Sequence, residues 1–522
     1  MSTDRWADRD VLPLANAERL AWPKVRTWPR YVIGLGAVAY VAMIVIGVGT
    51  GSFETLMAVP LIPALGYATY WIARSVALSE HDHSMIEFIL AAFAAKMMGT
   101  LLRALVVSQL YNNQSDAYDF HLWGQYYAPY FRRLDFSQVP SFSGTDFMRA
   151  LSGMVYAVTG SSKFSGGIVF SFLSFLGLLL CWRAFRRAIP DGDGYRYGLL
   201  VLFLPSLLYW PSSMGKEGFC LFGIGVASYG FARILTRRIF SGLALFALGV
   251  FLLSLLRPHI ALTLFSGAAL AAAVGKSRSP GAKTSLVRMV VFGALMVTWT
   301  MLASSTSSFF GVPSLNQESM NQILGEAEGR TDEAGSKFEP ASMSHPATVP
   351  LAAVTVLFRP FPIEVHSPVA AASALEGVFL FGLCCVSWRR LRSIPRCMRE
   401  SPYTAYCIGA LVAFVYAFSA FSNFGILARQ RSQFLPLFLV LVCLPVWTRT
   451  DALSTEEALS ARDADPDDPY AEMVAPPVYQ EIPPVDPYEH VGPGPEPYVV
   501  VDEDPYARFA DPGAPDTRRG RG

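Results

Sequence analysis

Charged residues are scarce in this chain of 522 residues: Asp, Glu, Lys and Arg make up 16% of it, whereas hydrophobic residues make up 52%. Soluble globular domains contain about 25% charged residues. The apolar residues are gathered in blocks that recur from Tyr31 almost to Trp447. This composition excludes an ordinary soluble protein and indicates a polytopic membrane protein.

The sequence also lacks the common motifs of nucleotide and metal chemistry. It contains no Walker A loop, no GxGxxG motif after a strand, no HExxH and no CxxC pair. The 7 cysteines lie in or beside apolar runs, apart from Cys397 in a basic segment, so they predict no disulfide framework. We therefore expect no required cofactor, with a divalent metal optional, no nucleic-acid partner, and energy from an ion gradient or an activated membrane-borne substrate.

Long apolar runs predict the fold class, an all-α polytopic bundle of about twelve transmembrane helices, because a span needs roughly 20 apolar residues and lipid offers no partner for bare backbone groups. The predicted spans are 31–49, 55–74, 85–108, 165–182, 197–211, 217–235, 239–256, 259–275, 286–303, 369–388, 403–421 and 432–449. Residues 1–30 precede them and have no signal-peptide pattern.

Basic loops predict the orientation. With the N-terminus in the cytoplasm, four inner connections are rich in Lys and Arg, as the positive-inside rule requires. These residues are Arg183, Arg186, Arg187, Arg196, Arg233, Arg237, Arg238, Lys276, Arg278, Lys283, Arg288, Arg389, Arg390, Arg392, Arg396 and Arg399. The prediction is a transmembrane domain over 31–449 in a bacterial cytoplasmic (inner) membrane, with outer loops 108–165 and 303–368 that carry short interfacial helices.

The C-terminal segment, 450–522, is rich in Pro, Asp, Glu and Tyr and repeats Asp-Pro-Tyr three times. Such a composition cannot bury enough apolar surface to offset chain entropy, which predicts a disordered cytoplasmic tail. The tail either only solvates the protein or docks a cytoplasmic protein partner.

The first outer loop contains Asp116, Asp119 and His121. If a helix starts at Asp116, residues three apart share a face, and the two carboxylates and the imidazole converge on one substrate as candidate catalytic groups. The alternative is that Asp116 caps an interfacial helix whose Trp123 and Tyr126 suit the headgroup region.

A turn after the fifth predicted span reads Ser212-Ser213-Met214-Gly215-Lys216-Glu217. Small residues, a helix N-terminus and Lys216 together predict a phosphate site, with Glu217 in a supporting role. The alternative is a simple interfacial pair between Lys216 and Glu217.

Four arginines, Arg257, Arg359, Arg429 and Arg431, lie at outer helix ends or in apolar surroundings. Arginines that converge from separate segments suit a lipid phosphate or pyrophosphate, whereas a single outer arginine is explained by snorkelling to headgroups. Supporting candidates beside them are His259, Glu364 and His366. Of the charges near the middle of predicted spans, Lys96, Arg103 and Glu376 stand out. Lys96 and Arg103 share one helix face, and this pair is either structural or contacts a substrate from below.

On the residues from Asp116 to Glu217, the chain resembles the membrane glycosyltransferases of the C type (GT-C), which use polyprenyl-linked sugars. In that superfamily an acidic residue on the first long outer loop acts as base or organises the acceptor, and Asp116 and Asp119 occupy such a place. The resemblance covers roughly residues 85–240 in pattern; the loop lacks a plain Asp-Glu or Asp-Asp pair. The arginines also resemble those of bacterial polysaccharide polymerases of the O-antigen (Wzy) type.

The resemblance implies a membrane glycosyltransferase that moves a hexosyl or pentosyl group from a polyprenyl phosphate or diphosphate to a glycan or lipid-linked acceptor. Donor phosphate would contact Lys216 and the outer arginines, with membrane lipid around the enzyme. The alternatives are a polymerase of repeat units and, in another class, a non-enzymatic flippase or transporter of lipid-linked glycans.

Overall fold

The computed structural model describes residues 27–110, 116–274, 300–301, 303–307, 349–365, 368–419 and 424–446. The predicted tail (450–522), most of the predicted span 286–303, most of the second outer loop and His366 lie outside the described residues. Within the described residues the structure is helical and contains no strand, which confirms the all-α prediction for this part of the chain.

Eighteen α-helices are numbered here among the described residues. They are α1 Trp28–Thr50, α2 Phe53–Leu56, α3 Leu61–Glu80, α4 Ser84–Leu110, α5 Asp116–Phe131, α6 Gly144–Thr159, α7 Lys163–Ala188, α8 Gly194–Phe203, α9 Pro205–Tyr209, α10 Lys216–Leu235, α11 Ile239–Leu256, α12 Pro258–Val274, α13 Val349–Phe358, α14 Pro368–Val386, α15 Trp388–Arg392, α16 Ile394–Glu400, α17 Pro402–Phe418 and α18 Phe424–Leu441. A 3₁₀ turn, Pro362–Glu364, follows α13.

Six helical segments are long and apolar enough to cross a membrane, so the structure supports a membrane protein but not the full count of twelve spans. The segments are Trp28–Thr50, Phe53–Glu80, Ser84–Gln109, Lys163–Ala188, Lys216–Leu235 and Ile239–Leu256. Three others, Pro258–Val274, Ala370–Val386 and Pro402–Phe418, are apolar but shorter. The predicted span 197–211 is divided at Leu204 because Pro205 has no N–H to continue the helix.

Helix α10 lies at the centre of the described bundle, and 72% of the residues in its most apolar stretch are buried. It packs closely on α7 where Gly225 meets Gly177: a Cβ built on Gly225 would collide with the backbone of Gly177. Small residues allow such close helix approach within membranes, where packing replaces the hydrophobic effect as the main attraction between helices.

Helix α7 runs between the two ends of the bundle, and each end has its own group of polar contacts. At the C-terminal end of α7, Arg186 forms an ion pair with Glu80 at 3.0 Å, and at its N-terminal end Ser162 donates to the Glu54 carboxylate at 3.0 Å. Residues of the predicted basic inner loops meet at the first end, as in the Arg390–Asp193 ion pair at 3.2 Å. This end is called the basic end below, and the other the Asp116 end.

The predicted outer loop 108–165 contains two helices, α5 and α6. Helix α5 covers Asp116–Phe131 of the described residues, and its aromatic residues pack against α6. Tyr127 stacks on Phe131 with ring centroids 5.6 Å apart, and both are buried together with Ala150 of α6. The pair therefore forms a packed helical hairpin on the Asp116 end.

Candidate functional site

A large cavity, about 1300 Å³ in volume, opens at the Asp116 end. Its walls come from α1, α2, α4, α5, the start of α7, the turn between α9 and α10, and α18. One wall is apolar and includes Leu35, Met43 and Ile46 of α1. The remainder carries polar and charged side chains: Glu54, Arg103, Asp116, His121, Lys163 and Arg429. The cavity is thus amphiphilic.

The apolar wall lies between α1 and α4, which pack on each other. Only 11% of the residues in the most apolar stretch of α1 are buried inside the protein, so most of this helix faces outward. Leu102 and Leu105 of α4 are both more than half exposed and also line the cavity. An apolar chain in the cavity would therefore extend between two helices whose outer faces suit lipid.

Asp116 stands at the polar end of the cavity and binds Arg429 of α18. The Nη2 atom of Arg429 donates to Oδ2 of Asp116 at 2.7 Å, although the two residues are 313 positions apart. The Asp116 side chain remains 60% exposed. Its carboxylate is thus held in place by a charge-assisted hydrogen bond and is still accessible from the cavity.

Behind Arg429 lies a buried ionic network centred on Glu217. Arg429 Nη2 donates to Glu217 Oε2 at 3.1 Å, and Arg257 Nη2 donates to Glu217 Oε1 at 3.0 Å. The Glu217 side chain is 2% exposed and lies in the first turn of α10, where the helix dipole favours a negative charge. Arg257 also donates to the side chain of Gln430. Glu217 therefore holds the Arg429 side chain in its position beside the cavity.

Asp119 lies three residues beyond Asp116 but does not line the cavity. Arg149 of α6 binds it with two hydrogen bonds, at 3.0 and 3.1 Å, and also binds Asp146. The hydrogen bond to Asp119 raises the pKa of Arg149. The expected convergence of both carboxylates on one substrate is not observed, because Arg149 uses Asp119 to join α5 to α6.

His121 does line the cavity, and its Nδ1 atom lies 2.7 Å from the hydroxyl of Tyr156. Burial lowers the pKa of His121 below its usual range, and burial also raises the pKa of Tyr156. The imidazole is therefore neutral at pH 7 and can donate or accept one further hydrogen bond on the cavity side.

Glu54 and Lys163 are two cavity residues that the sequence argument did not select. The Glu54 carboxylate accepts hydrogen bonds from Ser162 Oγ and from the backbone N–H of Phe164, both at 3.0 Å. It thus caps the N-terminus of α7, where a negative charge is favourable. The sequence feature that could have identified Glu54 and Lys163 is that each charged residue lies at the outer edge of a predicted span.

Arg103 and Lys96 share one helix face in the sequence but have different surroundings. Arg103 lines the cavity, and its guanidinium lies 4.6 Å from the ring centre of Tyr209 and 5.0 Å from that of Trp210. Lys96 is 1% exposed, does not line the cavity and donates to the carbonyl of Leu207 at 2.7 Å. Of the two, Arg103 can reach a substrate, while Lys96 belongs to the packed interior.

The predicted phosphate-binding residues are dispersed. Lys216 donates to Thr145 Oγ1 at 2.9 Å and does not line the cavity. Arg359 forms an ion pair with Glu364 at 2.9 Å. Arg431 is 1% exposed and donates to two backbone carbonyls, those of Leu357 and Arg359, both at 2.9 Å.

Of the four selected arginines, only Arg429 lines the cavity, and Arg257 supports it through Glu217. His259 is packed near the ring of Phe418, at 6.1 Å between centroids, and is likewise not part of the cavity lining. No group of three His, Cys, Asp or Glu side chains that could hold a metal occurs in the part of the chain that the structure describes.

Compared with protein-family models, with curated proteins and with solved structures, the chain gives no match.

Proposed function

We propose that this chain is a membrane enzyme that transfers a sugar from a polyprenyl phosphate or diphosphate to a glycan or lipid-linked acceptor. The observation that carries the proposal is the amphiphilic cavity, which joins an apolar wall on α1 and α4 to a polar end with Asp116 and Arg429. A polyprenyl-linked sugar has the same division, since an apolar chain is joined to an anionic phosphate and a polar sugar.

The topology belongs to the same proposal. We place the Asp116 end on the extracytoplasmic face of a bacterial cytoplasmic membrane, with both termini and the basic end inside and about twelve spans in all. The support is the positive-inside rule together with the meeting of the basic loops at one end of the bundle.

Two guanidinium groups are suited to bind the donor phosphate. Arg429 stands at the polar end and Arg103 beside the apolar wall, so the two can contact a phosphate at the boundary between lipid chain and sugar. An arginine in apolar surroundings is costly without an anionic partner, which favours this role for Arg103. Their positive charge would stabilise the leaving polyprenyl phosphate in the transition state.

Asp116 is our candidate for the general base. In the proposed reaction, the oxygen of an acceptor hydroxyl forms a bond to the anomeric carbon, the bond from that carbon to the donor phosphate oxygen breaks, and the hydroxyl proton passes to the Asp116 carboxylate. Glu54, His121 and Lys163 line the same cavity and supply hydrogen-bonding groups for sugar hydroxyls.

The floor of the cavity is closed by buried polar contacts. Between the cavity and the basic end, Thr100 donates to Ser171 at 2.9 Å and Lys96 donates to the carbonyl of Leu207 at 2.7 Å, all with buried polar atoms. A transporter would have to open this layer in a second conformation, as alternating access requires. The polymerase alternative relied on Arg359 and Arg431 as well as Arg429, and the first two are engaged elsewhere.

The test compares Asp116→Asn with Asp119→Asn in cells whose surface glycan depends on this protein. We expect Asp116→Asn to lower transfer by about 10²–10⁴-fold, the usual contribution of a general base. Asp119→Asn should retain transfer, because Asp119 joins α5 to α6 and does not line the cavity. Immunoblots of membranes check that both variants are inserted in equal amounts.

A binding measurement supplements the cellular test. Polyprenyl phosphate should raise the melting temperature of the purified protein, whereas the uncharged polyprenol should raise it less, and Arg103→Gln should remove the difference. Normal surface glycan in the Asp116→Asn strain would overturn the catalytic assignment, and equal stabilisation by both lipids would overturn the phosphate site.

A further inference from the structure

A second cavity, about 220 Å³ in volume, lies at the basic end of the bundle. It is lined by Glu80, Arg183, Arg186, Arg187, Tyr229 and Thr236, and we call it the basic pocket. Its residues come from the end of α3, the last turns of α7, and α10 with the turn that follows it. The pocket is thus a cleft between helix ends, at the opposite end of α7 from Glu54 and the first cavity.

Two of the three arginines in the basic pocket have no carboxylate partner among the described residues. Arg186 is paired with Glu80 at 3.0 Å. By contrast, Arg183 donates to the hydroxyl of Ser79 at 3.2 Å, and Arg187 donates to the hydroxyl of Thr236 at 2.6 Å. Neither guanidinium therefore forms an ion pair with a described carboxylate.

Further charges around the pocket increase the positive excess. Arg183 and Arg233 both lie against the ring of Tyr229, at 5.5 and 5.8 Å from its centre. Arg238 acts electrostatically on Arg187, and Asp82 adds its negative charge beside Arg186. Glu80 is the carboxylate among the residues that line the pocket, and it is paired with Arg186, so the side toward Arg187 stays positive.

We propose that the basic pocket binds a phosphate group, carried by an anionic phospholipid or free in solution. Arg183 and Arg187 would bind the phosphate oxygens through their N–H groups, and the hydroxyl of Tyr229 is a further donor within the same cleft. A basic pocket between transmembrane helix ends is also the known setting for anionic headgroups. The proposal does not rest on the glycosyl-transfer proposal, since the two cavities share no residue.

Snorkelling of arginine into headgroups is a weaker explanation for these side chains. A snorkelling arginine lays its aliphatic stem along apolar surface and keeps its guanidinium in water. Arg183 and Arg187 instead face one pocket, with an aromatic ring against one and a serine or threonine hydroxyl on each. At the same end, Arg392 is exposed over Trp388, at 6.0 Å from the ring centre, and offers a matched arginine outside the pocket.

The test measures lipid retention by the full chain with native mass spectrometry, after extraction from vesicles of equal parts phosphatidylglycerol and phosphatidylcholine. We expect the wild-type protein to retain phosphatidylglycerol in preference to phosphatidylcholine. The double variant Arg183→Gln/Arg187→Gln should lose at least about tenfold in that preference, because it removes two charge-assisted phosphate contacts. Arg392→Gln should behave as wild type.

A second arm uses inorganic phosphate with lipid-free protein in detergent and follows the melting temperature, with sodium chloride of equal ionic strength as control. Stabilisation of wild type but not of the double variant supports the pocket with free phosphate as its source. If the double variant does not fold, Arg183→Lys/Arg187→Lys replaces it, since lysine keeps the charge but loses the bidentate contact. The proposal is overturned if neither arm shows a preference, or if Arg392→Gln loses as much as the double variant.

Discussion

Glu217 should be the most sensitive carboxylate of the described membrane region, and Glu217→Gln tests this. The side chain is 2% exposed and accepts hydrogen bonds from Arg257 and from Arg429. Glutamine has nearly the same shape and keeps one acceptor oxygen, so the substitution removes the negative charge with little change in packing. It leaves two guanidinium groups facing each other without their shared counter-ion.

The expected loss of stability is about 3–5 kcal/mol, the usual result of removing one partner from a buried ion pair. Glu400→Gln is the matched control, because Glu400 pairs with Arg396 on the surface and the two side chains are 44% and 37% exposed. A solvent-exposed pair four residues apart on a helix contributes about 0.3–0.5 kcal/mol. The two identical substitutions should therefore differ by several-fold in their effect.

The assay is reversible unfolding of purified protein in mixed micelles, followed by circular dichroism as the denaturing detergent fraction rises. Arg257→Gln combined with Glu217→Gln should cost less than the sum of the single variants, because the double variant removes one of the unpaired cations. The reasoning would be refuted if Glu217→Gln and Glu400→Gln destabilised the protein equally, or if the double variant were strictly additive.

Three further predictions follow from other parts of the structure. Burial lowers the pKa of His121, so the unfolded chain binds more protons at this residue than the folded protein does, and stability should fall as the pH drops below about 6.5. When unfolding is measured at pH 7.5 and at pH 5.5, the loss of stability between the two should be smaller for His121→Gln than for wild type. Gly225→Ala should cost about 1–3 kcal/mol in the same unfolding assay, because its Cβ would collide with Gly177, whereas Gly34→Ala, with open space around it, should cost nothing. Arg431→Leu should reduce the amount of folded protein in membranes, because it leaves two buried carbonyls without a hydrogen bond, at a cost of about 1–3 kcal/mol each. Unchanged folding would contradict the structural role of Arg431.

The helical class could be predicted from the sequence because it depends on local properties. Apolar runs locate helices such as α1 and α11 to within a few residues of their observed ends. Helix α18 includes residues from Phe424 onward, whereas the predicted span starts at 432, so Arg429 and Arg431 are helical although they lie outside that span. The helix accommodates both arginines because groups far away in the sequence bind them. Glu217 neutralises Arg429, and two backbone carbonyls accept hydrogen bonds from Arg431.

The composition of the site could be predicted only in part. Asp116, His121 and Arg429 were selected and do line the cavity, but Glu54 and Lys163 were missed and Asp119 does not line it. Sequence spacing gives neighbours along one helix, so it could not show that Arg149, from another helix, would bind Asp119. Nor could it show which of several arginines would bind carbonyls and which would face a cavity, because that is decided by tertiary packing.

The contact between Asp116 and Arg429 has a consequence for the order of events in the proposed reaction. The Arg429 guanidinium donates to the Asp116 carboxylate at 2.7 Å, and an acceptor hydroxyl must compete with it for that carboxylate. A donor phosphate at the polar end offers Arg429 a stronger, bidentate partner. Because Glu217 holds the same guanidinium from behind, Arg429 can turn from Asp116 to the phosphate without leaving its place. In the proposed function, donor binding would therefore release the base, and Asp116 would accept a proton only after the donor is bound.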